Sequence, residues 1–198
     1  MWTWVAICAD TKIARAGTWG PGTGVTPSIS WGPASRLANR VKLTTDGLSA
    51  YLEAVEDNFG TDIDYAMLVK LYSEPPGRED ERRYSPAECV GINIRPVHGV
   101  PDPDHTSTSY VERQNLTMRM NMRRFTRLTN SFSKKLKNHM HAISLHYLFH
   151  NFCRIHTTLK VAPTMAAEVT DTLHDVAWIV ELVEAATPTP GPRGSYRP

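Results

Sequence analysis

The order of its periodic segments limits the folds that this chain can adopt: short strand-like runs fill the first half and long helical patterns fill the second. Residues 1–13 are dense in aromatic and β-branched residues and are predicted to form a strand. Strands are also predicted at Val41–Thr45, Ile63–Tyr72 and 90–97, although Ala66-Met67-Leu68 makes the second of these ambiguous. Apolar positions recur at helical spacing in residues 48–58. This order predicts an α/β domain with a helical C-terminal part.

The second half contains three predicted helices. Helical patterns run through residues 110–128 and 132–155, separated by a short polar junction. A last helix is expected over residues 169–186, with Thr170 and Asp171 as its N-terminal cap. The predicted organisation is a core of residues 1–168, a C-terminal helix of residues 169–186 and a disordered, Pro-rich tail of residues 187–198.

Two segments between these elements lack a periodic pattern. Eight of the 21 residues from 14 to 34 are Gly or Pro, which predicts an irregular loop. Residues 73–88 are polar and contain prolines, so a second loop is expected there.

Composition excludes several classes of protein. A membrane helix needs about 20 apolar residues, and no run of the sequence approaches that length. The N-terminus has no basic segment or small-residue cleavage site, which argues against a secretory signal. Three scattered cysteines, Cys8, Cys89 and Cys153, exclude a disulfide framework and a zinc knuckle. We therefore expect a cytoplasmic protein without a membrane partner.

The positive charge of the chain is concentrated in one stretch. Residues 113–138 contain eight Lys or Arg and no Asp or Glu, a local charge of +8 in a chain of net charge +2. A one-signed run attracts the phosphate backbone of nucleic acid, which is the favoured interpretation. The alternative is a solvated helix face.

Two carboxylates are candidate metal ligands. Asp46 follows the predicted strand Val41–Thr45 and precedes a glycine, a position that suits a metal ligand, although Asp-Gly is also a common turn. Glu112 is the lone acid before the basic stretch, where Mg²⁺ could bind beside incoming phosphates. Its structural alternative is a carboxylate that complements the positive N-terminus of a helix.

Histidines and methionines are interpreted as packing residues. His146 and His150 stand four residues apart, as in a helical zinc site, but no third ligand is evident. We interpret them as a partly buried or surface histidine face. Met118, Met120 and Met122 are expected to provide adaptable packing.

Four segments together resemble one protein family. They read WTWVAICADTK, ASRLANRVKLTTDGLSAYLEAVE, STSYVERQNLTMRMNMRRFTRLTNSFSKK and HNFCRIHTTLKVAPTMAA. In this order they resemble DDE-type insertion-sequence transposases of the insertion-sequence-one-like group, over residues 1–13 and 34–186. The resemblance implies an RNase H-like catalytic core, in which three carboxylates hold two Mg²⁺ ions that drive cleavage and transfer of DNA strands.

The resemblance also implies site residues. Asp46 matches the second carboxylate of the family, at the end of a TDG strand, and Glu112 matches the third, in the VERQN helix. The first catalytic Asp of the family precedes the WTWVA strand, so Asp10 matches a strand end that is not a metal ligand. The histidine-containing block around Asn151 resembles the C-terminal support of the Glu helix. The side chains implied to contact the DNA backbone are Arg113, Arg119, Arg123, Arg124, Arg127, Lys134 and Lys135.

The expected protein is therefore an N-terminally truncated copy. Its RNase H-like core would be incomplete, with the first strand missing, a damaged segment at residues 14–34 and a two-metal Mg²⁺ site short of one ligand. Its implied partner is DNA, as transposon ends and target, and homo-oligomerisation stays open. Two alternatives remain: a catalytically dead DNA-binding module that interferes with an intact transposase, and a small nuclease that uses Asp10 with Asp46 and Glu112.

Overall fold

The computed structural model describes residues 2–19, 39–73, 87–126, 130 and 135–187. They form a mixed α/β protein, as the sequence predicts. The strands are β1 (Trp2–Ile7), β2 (Ala14–Trp19), β3 (Val41–Thr45), β4 (Ile63–Tyr72) and β5 (Cys89–His98). The helices are α1 (Ala50–Phe59), α2 (Ser109–Asn121), α3 (Leu136–Phe152), α4 (Pro163–Ala166) and α5 (Val176–Ala186), with 3-10 turns at Pro103–His105 and Arg123–Phe125.

A three-stranded sheet has the order β3-β4-β5. β3 runs parallel to β4, with Val41 opposite Ile63 and Thr45 opposite Met67. Parallel neighbours need a crossover, and α1 supplies it. β5 is antiparallel to β4. The predictions for β3 and β4 are confirmed residue for residue, and β5 is one residue longer at each end than predicted.

The core beside this sheet follows from strand alternation. Ile63, Tyr65 and Met67 point to one face of β4, where they form a buried cluster with Val55 of α1. Val55, Ile63 and Tyr65 have no exposed surface. Each such side chain contributes about 1.5–3 kcal/mol through burial, so this cluster holds α1 against the sheet.

β1 and β2 form a two-stranded sheet of their own, joined through residues 8–13. Among the strands that the structure describes, neither pairs with the β3-β4-β5 sheet. The prediction of an irregular loop from residue 14 is wrong for Ala14–Trp19, which forms β2. The reason is that the Gly and Pro residues concentrate from position 20 onward. The rest of that loop, and residues 74–86 of the second loop, lie outside the described residues.

A second core surrounds α3. Its buried members are Ala14, Met118, Ile143 and Tyr147, and Met122 packs against them. The chain accordingly divides into two compact units, one of Met1–Trp4 and Gly17–Thr117 and one of Val5–Ala16 and Met118–Pro198. Packing roles for Met118 and Met122 are confirmed, whereas the side chain of Met120 is 76% exposed.

The helices of the second half are shorter than predicted. α2 ends at Asn121 and α3 spans Leu136–Phe152, and residues 127–129 and 131–134 are not described. α5 begins at Val176 instead of residue 169, because Asp175 provides the cap: its Oδ1 accepts a hydrogen bond from the Trp178 N–H at 2.9 Å. The predicted tail from residue 188 is outside the described residues.

No helix in the part of the chain that the structure describes combines the length and apolarity needed to span a membrane.

Candidate functional site

Asp46 lies in the turn that joins β3 to α1. Its carboxylate is exposed, and Oδ1 accepts a hydrogen bond from the Leu48 N–H at 3.2 Å. A Cβ on Gly47 would lie 2.9 Å from Val69 Cγ2, so glycine permits the close approach of this turn to β4. Asp46 thus acts as a turn residue, and its exposed second oxygen leaves the ligand role open.

Two tyrosines lie near the Asp46 carboxylate. The hydroxyl groups of Tyr65 and Thr45 are hydrogen-bonded at 2.7 Å, and Thr45 Oγ1 donates to the Asp46 carbonyl at 3.1 Å. Burial, with a contribution from the Asp46 charge, raises the pKa of both Tyr51 and Tyr65. Both phenols are therefore neutral at pH 7, and the Tyr65–Thr45 pair orients the backbone at Asp46.

Glu112 is held by an ion pair in the first turn of α2. Lys70 Nζ lies 2.5 Å from Oε1 and 2.6 Å from Oε2 of Glu112. Thr108 Oγ1 donates a third bond, to Oε1, at 2.7 Å. The Lys70 hydrogen bond lowers the pKa of Glu112, and the same bond raises the pKa of Lys70. Glu112 is therefore an ionised carboxylate with a cation already on both oxygens.

The three candidate carboxylates occur in different surroundings. Asp46 and Glu112 belong to the first compact unit, and Asp10 lies in the exposed turn between β1 and β2, in the second. Within the described ranges, no group of three or more His, Cys, Asp or Glu side chains is placed to hold a metal ion. Lys70 and Thr108 together donate to both oxygens of Glu112, so a Mg²⁺ ion at this carboxylate would compete with the Lys70 ammonium for the same oxygens.

His150 is a packing residue. It is 5% exposed, its Nε2 lies 3.3 Å from the Lys12 carbonyl oxygen, and burial lowers its pKa to about 4. Burial also lowers the pKa of His146, whose ring meets the Tyr147 ring edge-on at 5.0 Å. The interpretation of these residues as a partly buried histidine face is confirmed.

Asn151 joins α3 to β2. Its Oδ1 accepts from the Ala14 N–H at 2.9 Å, and its Nδ2 donates to the Ala14 carbonyl at 2.7 Å. Thr164 Oγ1 of α4 donates to the Asn151 carbonyl at 2.7 Å. The histidine-containing block thus holds β2 and α4, and α3 contacts α2 through Tyr147 and Met118.

We expect Asn151→Ala to destabilise the second unit by about 2–4 kcal/mol, because it removes two hydrogen bonds and leaves the polar atoms of buried Ala14 unpaired. Asn138→Ala is the matched control, because Asn138 is an exposed asparagine of the same helix. Urea denaturation of both variants measures the difference. Equal losses would show that the Asn151 amide does not hold β2.

The basic side chains that the resemblance implies to contact DNA are exposed wherever the structure describes them. Arg113, Arg119, Arg123, Arg124 and Lys135 all lie at the surface, and Arg127 and Lys134 lie outside the described residues. We call the exposed set within the second unit, Arg119, Arg123, Arg124, Lys135 and Lys137, the basic surface.

One member of the basic surface, Arg124, contacts the first turn of α3. Arg124 Nη1 donates to the Asn138 carbonyl at 3.5 Å, and the rings of Phe125 and His139 lie 5.1 Å apart. Burial and the Arg124 charge lower the pKa of His139. Among the described residues, the N-cap residue Lys135 makes no side-chain capping hydrogen bond, and the N-terminus of α3 adds positive potential to this surface.

Sequence reasoning did not identify Lys70 and Thr108. Lys70 is the single cation of the strand IDYAMLVKLY, whose other charged residue is Asp64. A charged side chain in a mainly apolar strand indicates that a partner exists, but it does not say which one.

Similarity to known proteins gives no independent assignment. Searches against protein-family models, curated proteins and solved structures found no match. The resemblance to DDE-type transposases therefore rests on the residues of this chain alone.

Proposed function

We propose that this chain is a DNA-binding protein of DDE transposase descent that holds the phosphate backbone and does not cleave it. The observation that carries this proposal is the basic surface: five exposed Lys and Arg side chains within a stretch that contains no acid. Such a chain could interfere with an intact transposase by occupying its DNA.

Electrostatics favours an anionic polymer as the partner. Like charges within a Debye length of about 8–10 Å repel one another, and a phosphate backbone relieves that repulsion. Arginine binds phosphate with a planar pair of donors, and the N-terminus of α3, where Lys135 gives no capping bond among the described residues, adds backbone N–H donors. These contacts recognise phosphates and not bases, so we expect binding that is indifferent to sequence.

The same descent suggests an RNase H-like arrangement for the first unit. A parallel β3-α1-β4 crossover carries Asp46 at the end of β3, and a later helix carries Glu112. This order of strand-end carboxylate and helix carboxylate is the one that the family resemblance implies. The free cysteines Cys8, Cys89 and Cys153 support a reducing, cytoplasmic location.

One observation argues against strand cleavage: both carboxylate oxygens of Glu112 are paired with Lys70. A two-metal mechanism needs carboxylates that can approach the same ions, and small misplacements are costly to rate. We therefore expect no joining or cleavage of DNA in Mg²⁺ or Mn²⁺, and a purified sample that cleaved DNA would contradict this part of the proposal. If Asp10→Ala and Glu112→Ala abolished that activity equally, the nuclease alternative would be correct.

DNA binding is tested by fluorescence anisotropy of a labelled duplex over a range of salt concentrations. We expect Arg119→Ala/Arg123→Ala/Arg124→Ala to weaken binding. The slope of log K against log salt should fall by about 0.9 for each phosphate that the variant no longer neutralises.

The control removes three exposed cations elsewhere, Arg15, Lys42 and Arg95, and keeps the change in net charge the same. We expect it to bind DNA nearly as the parent chain does. If both triple variants lose the same affinity, net charge alone attracts the DNA and the basic surface has no special part in binding.

A further inference from the structure

The cation that pairs with Glu112 is a side chain of this protein, Lys70. Lys70 Nζ lies within 2.6 Å of both carboxylate oxygens, and Thr108 donates to one of them. One ammonium group and one hydroxyl group thus already bind the oxygens that a metal ion would need.

Strand geometry directs Lys70 to this position. Ile63, Tyr65 and Met67 point toward the α1 core, so alternate residues Ala66, Leu68 and Lys70 point to the opposite face of β4. Glu112 meets Lys70 at the end of β4, and Thr108 is 5% exposed just before α2.

A metal ion at Glu112 would have to displace this ammonium group. Lys70 and Glu112 side chains are 28% and 52% exposed, so solvent screens the pair and its contribution to stability is modest. Displacement would nevertheless leave the Lys70 ammonium beside a divalent cation, with like-charge repulsion at close range.

We propose that the Lys70 ammonium is the resident counter-ion of Glu112 and excludes divalent metal ions from that carboxylate. This inference rests on the proposed function and gives a physical reason for the expected lack of DNA cleavage. It can fail while DNA binding stands, because its test measures metal binding without DNA.

The experiment titrates each full-length variant with Mn²⁺ and measures free Mn²⁺ by electron paramagnetic resonance. We expect the parent chain and Glu112→Gln to bind Mn²⁺ equally, because Glu112 does not take part. We expect Lys70→Met to bind Mn²⁺ about two- to fivefold more tightly than the parent, a gain that Lys70→Met/Glu112→Gln loses. Lys70→Arg, which keeps the charge, should match the parent.

Two results would overturn the inference. One is Mn²⁺ binding by the parent chain that Glu112→Gln abolishes, since Lys70 would then not exclude the ion. The other is a Lys70→Met variant that binds no more Mn²⁺ than the parent, since removal of the Lys70 ammonium would then not have made Glu112 available to the ion. Lys70→Gln replaces Lys70→Met if the latter does not fold by circular dichroism.

Discussion

A Gly99→Ala variant is expected to lose about 3 kcal/mol of unfolding free energy, from backbone strain and from displaced hydrogen bonds. Gly99 has a φ of +65°, a conformation that side chains with a Cβ rarely adopt. A Cβ at this position would collide with Asp64 Oδ1, and would lie 2.7 Å from Arg40 Nη2 and 2.8 Å from the Ile63 carbonyl oxygen.

The atoms in the way form a network at the start of the β3-β4-β5 sheet. Asp64 Oδ1 accepts from Arg40 Nε and Nη2, each at 3.1 Å, and from the Val100 N–H at 3.0 Å. Arg40 also donates to Asp62 and to the Ile63 carbonyl, both at 3.0 Å. The methyl group cannot be accommodated by moving one flexible side chain, because Asp64 is held by three donors and the Ile63 oxygen belongs to the backbone of β4.

Gly60→Ala is the matched control. Gly60 also has a positive φ, +54°, but a Cβ there would meet nothing within 4 Å. Gly60→Ala therefore introduces backbone strain of its own, at a ψ of −129°, without a collision, and we expect Gly99→Ala to lose more stability because it also displaces the Asp64–Arg40 network. Urea denaturation followed by circular dichroism measures both variants. If the two midpoints fall equally, the Asp64–Arg40 network does not resist the added methyl group.

The second large effect is a loss of stability in mild acid that depends on His150. Burial lowers its pKa from 6.5 to about 4 in the folded protein. The unfolded chain therefore binds this proton more readily than the folded chain does, so stability falls as the pH falls from about 6.5 to about 4. The difference in pKa corresponds to about 3 kcal/mol, lost progressively across that range.

The cause is the buried position of the imidazole. His150 is 5% exposed, and Nδ1 has no hydrogen-bond partner among the described atoms, whereas Nε2 faces the Lys12 carbonyl. A second proton on the ring would be buried without an acceptor, beside the charge of Arg154.

Denaturation at several pH values measures this effect. His150→Gln should make the decrease between pH 6.5 and 4 smaller, and the remaining part comes from His139, His146 and His156, whose pKa values burial also lowers. Its own stability at pH 7 is lower. His141→Gln, at an exposed histidine of the same helix, should leave the pH dependence unchanged. An imidazole titration by NMR that placed the His150 pKa near 6.5 in the folded protein would contradict the prediction.

Local pattern was sufficient for several elements. β3 and β4 have their predicted ends, because apolar runs and the Asp46-Gly47 turn are local signals that tertiary contacts reinforce. The prediction failed at α5, because Thr170 and Asp171 and also Asp175 can each cap a helix. Phe152 contacts His174 and Trp178 at ring-centroid distances of 5.9 and 5.3 Å. These contacts lie beside the helix start that Asp175 caps.

Only part of the candidate site could be predicted from the sequence. Asp46 could be recognised as a strand-end carboxylate and Glu112 as an acid at a helix start, and both lie in those places. Whether Glu112 was free to bind a metal could not be inferred, because its partner Lys70 is 42 residues away in the chain.

The α/β order of the elements follows from the amino-acid sequence, as do the limits of β3 and β4 and the one-signed basic stretch, since these depend on the spacing of residues along the chain. Which distant groups meet depends on the fold. It paired Lys70 with Glu112, and it paired the Asn151 amide with Ala14 across 137 residues, which stabilises a strand where composition predicts a loop. The physical reason is that buried polar groups must find partners, and the fold, not the local sequence, brings those partners within hydrogen-bonding distance.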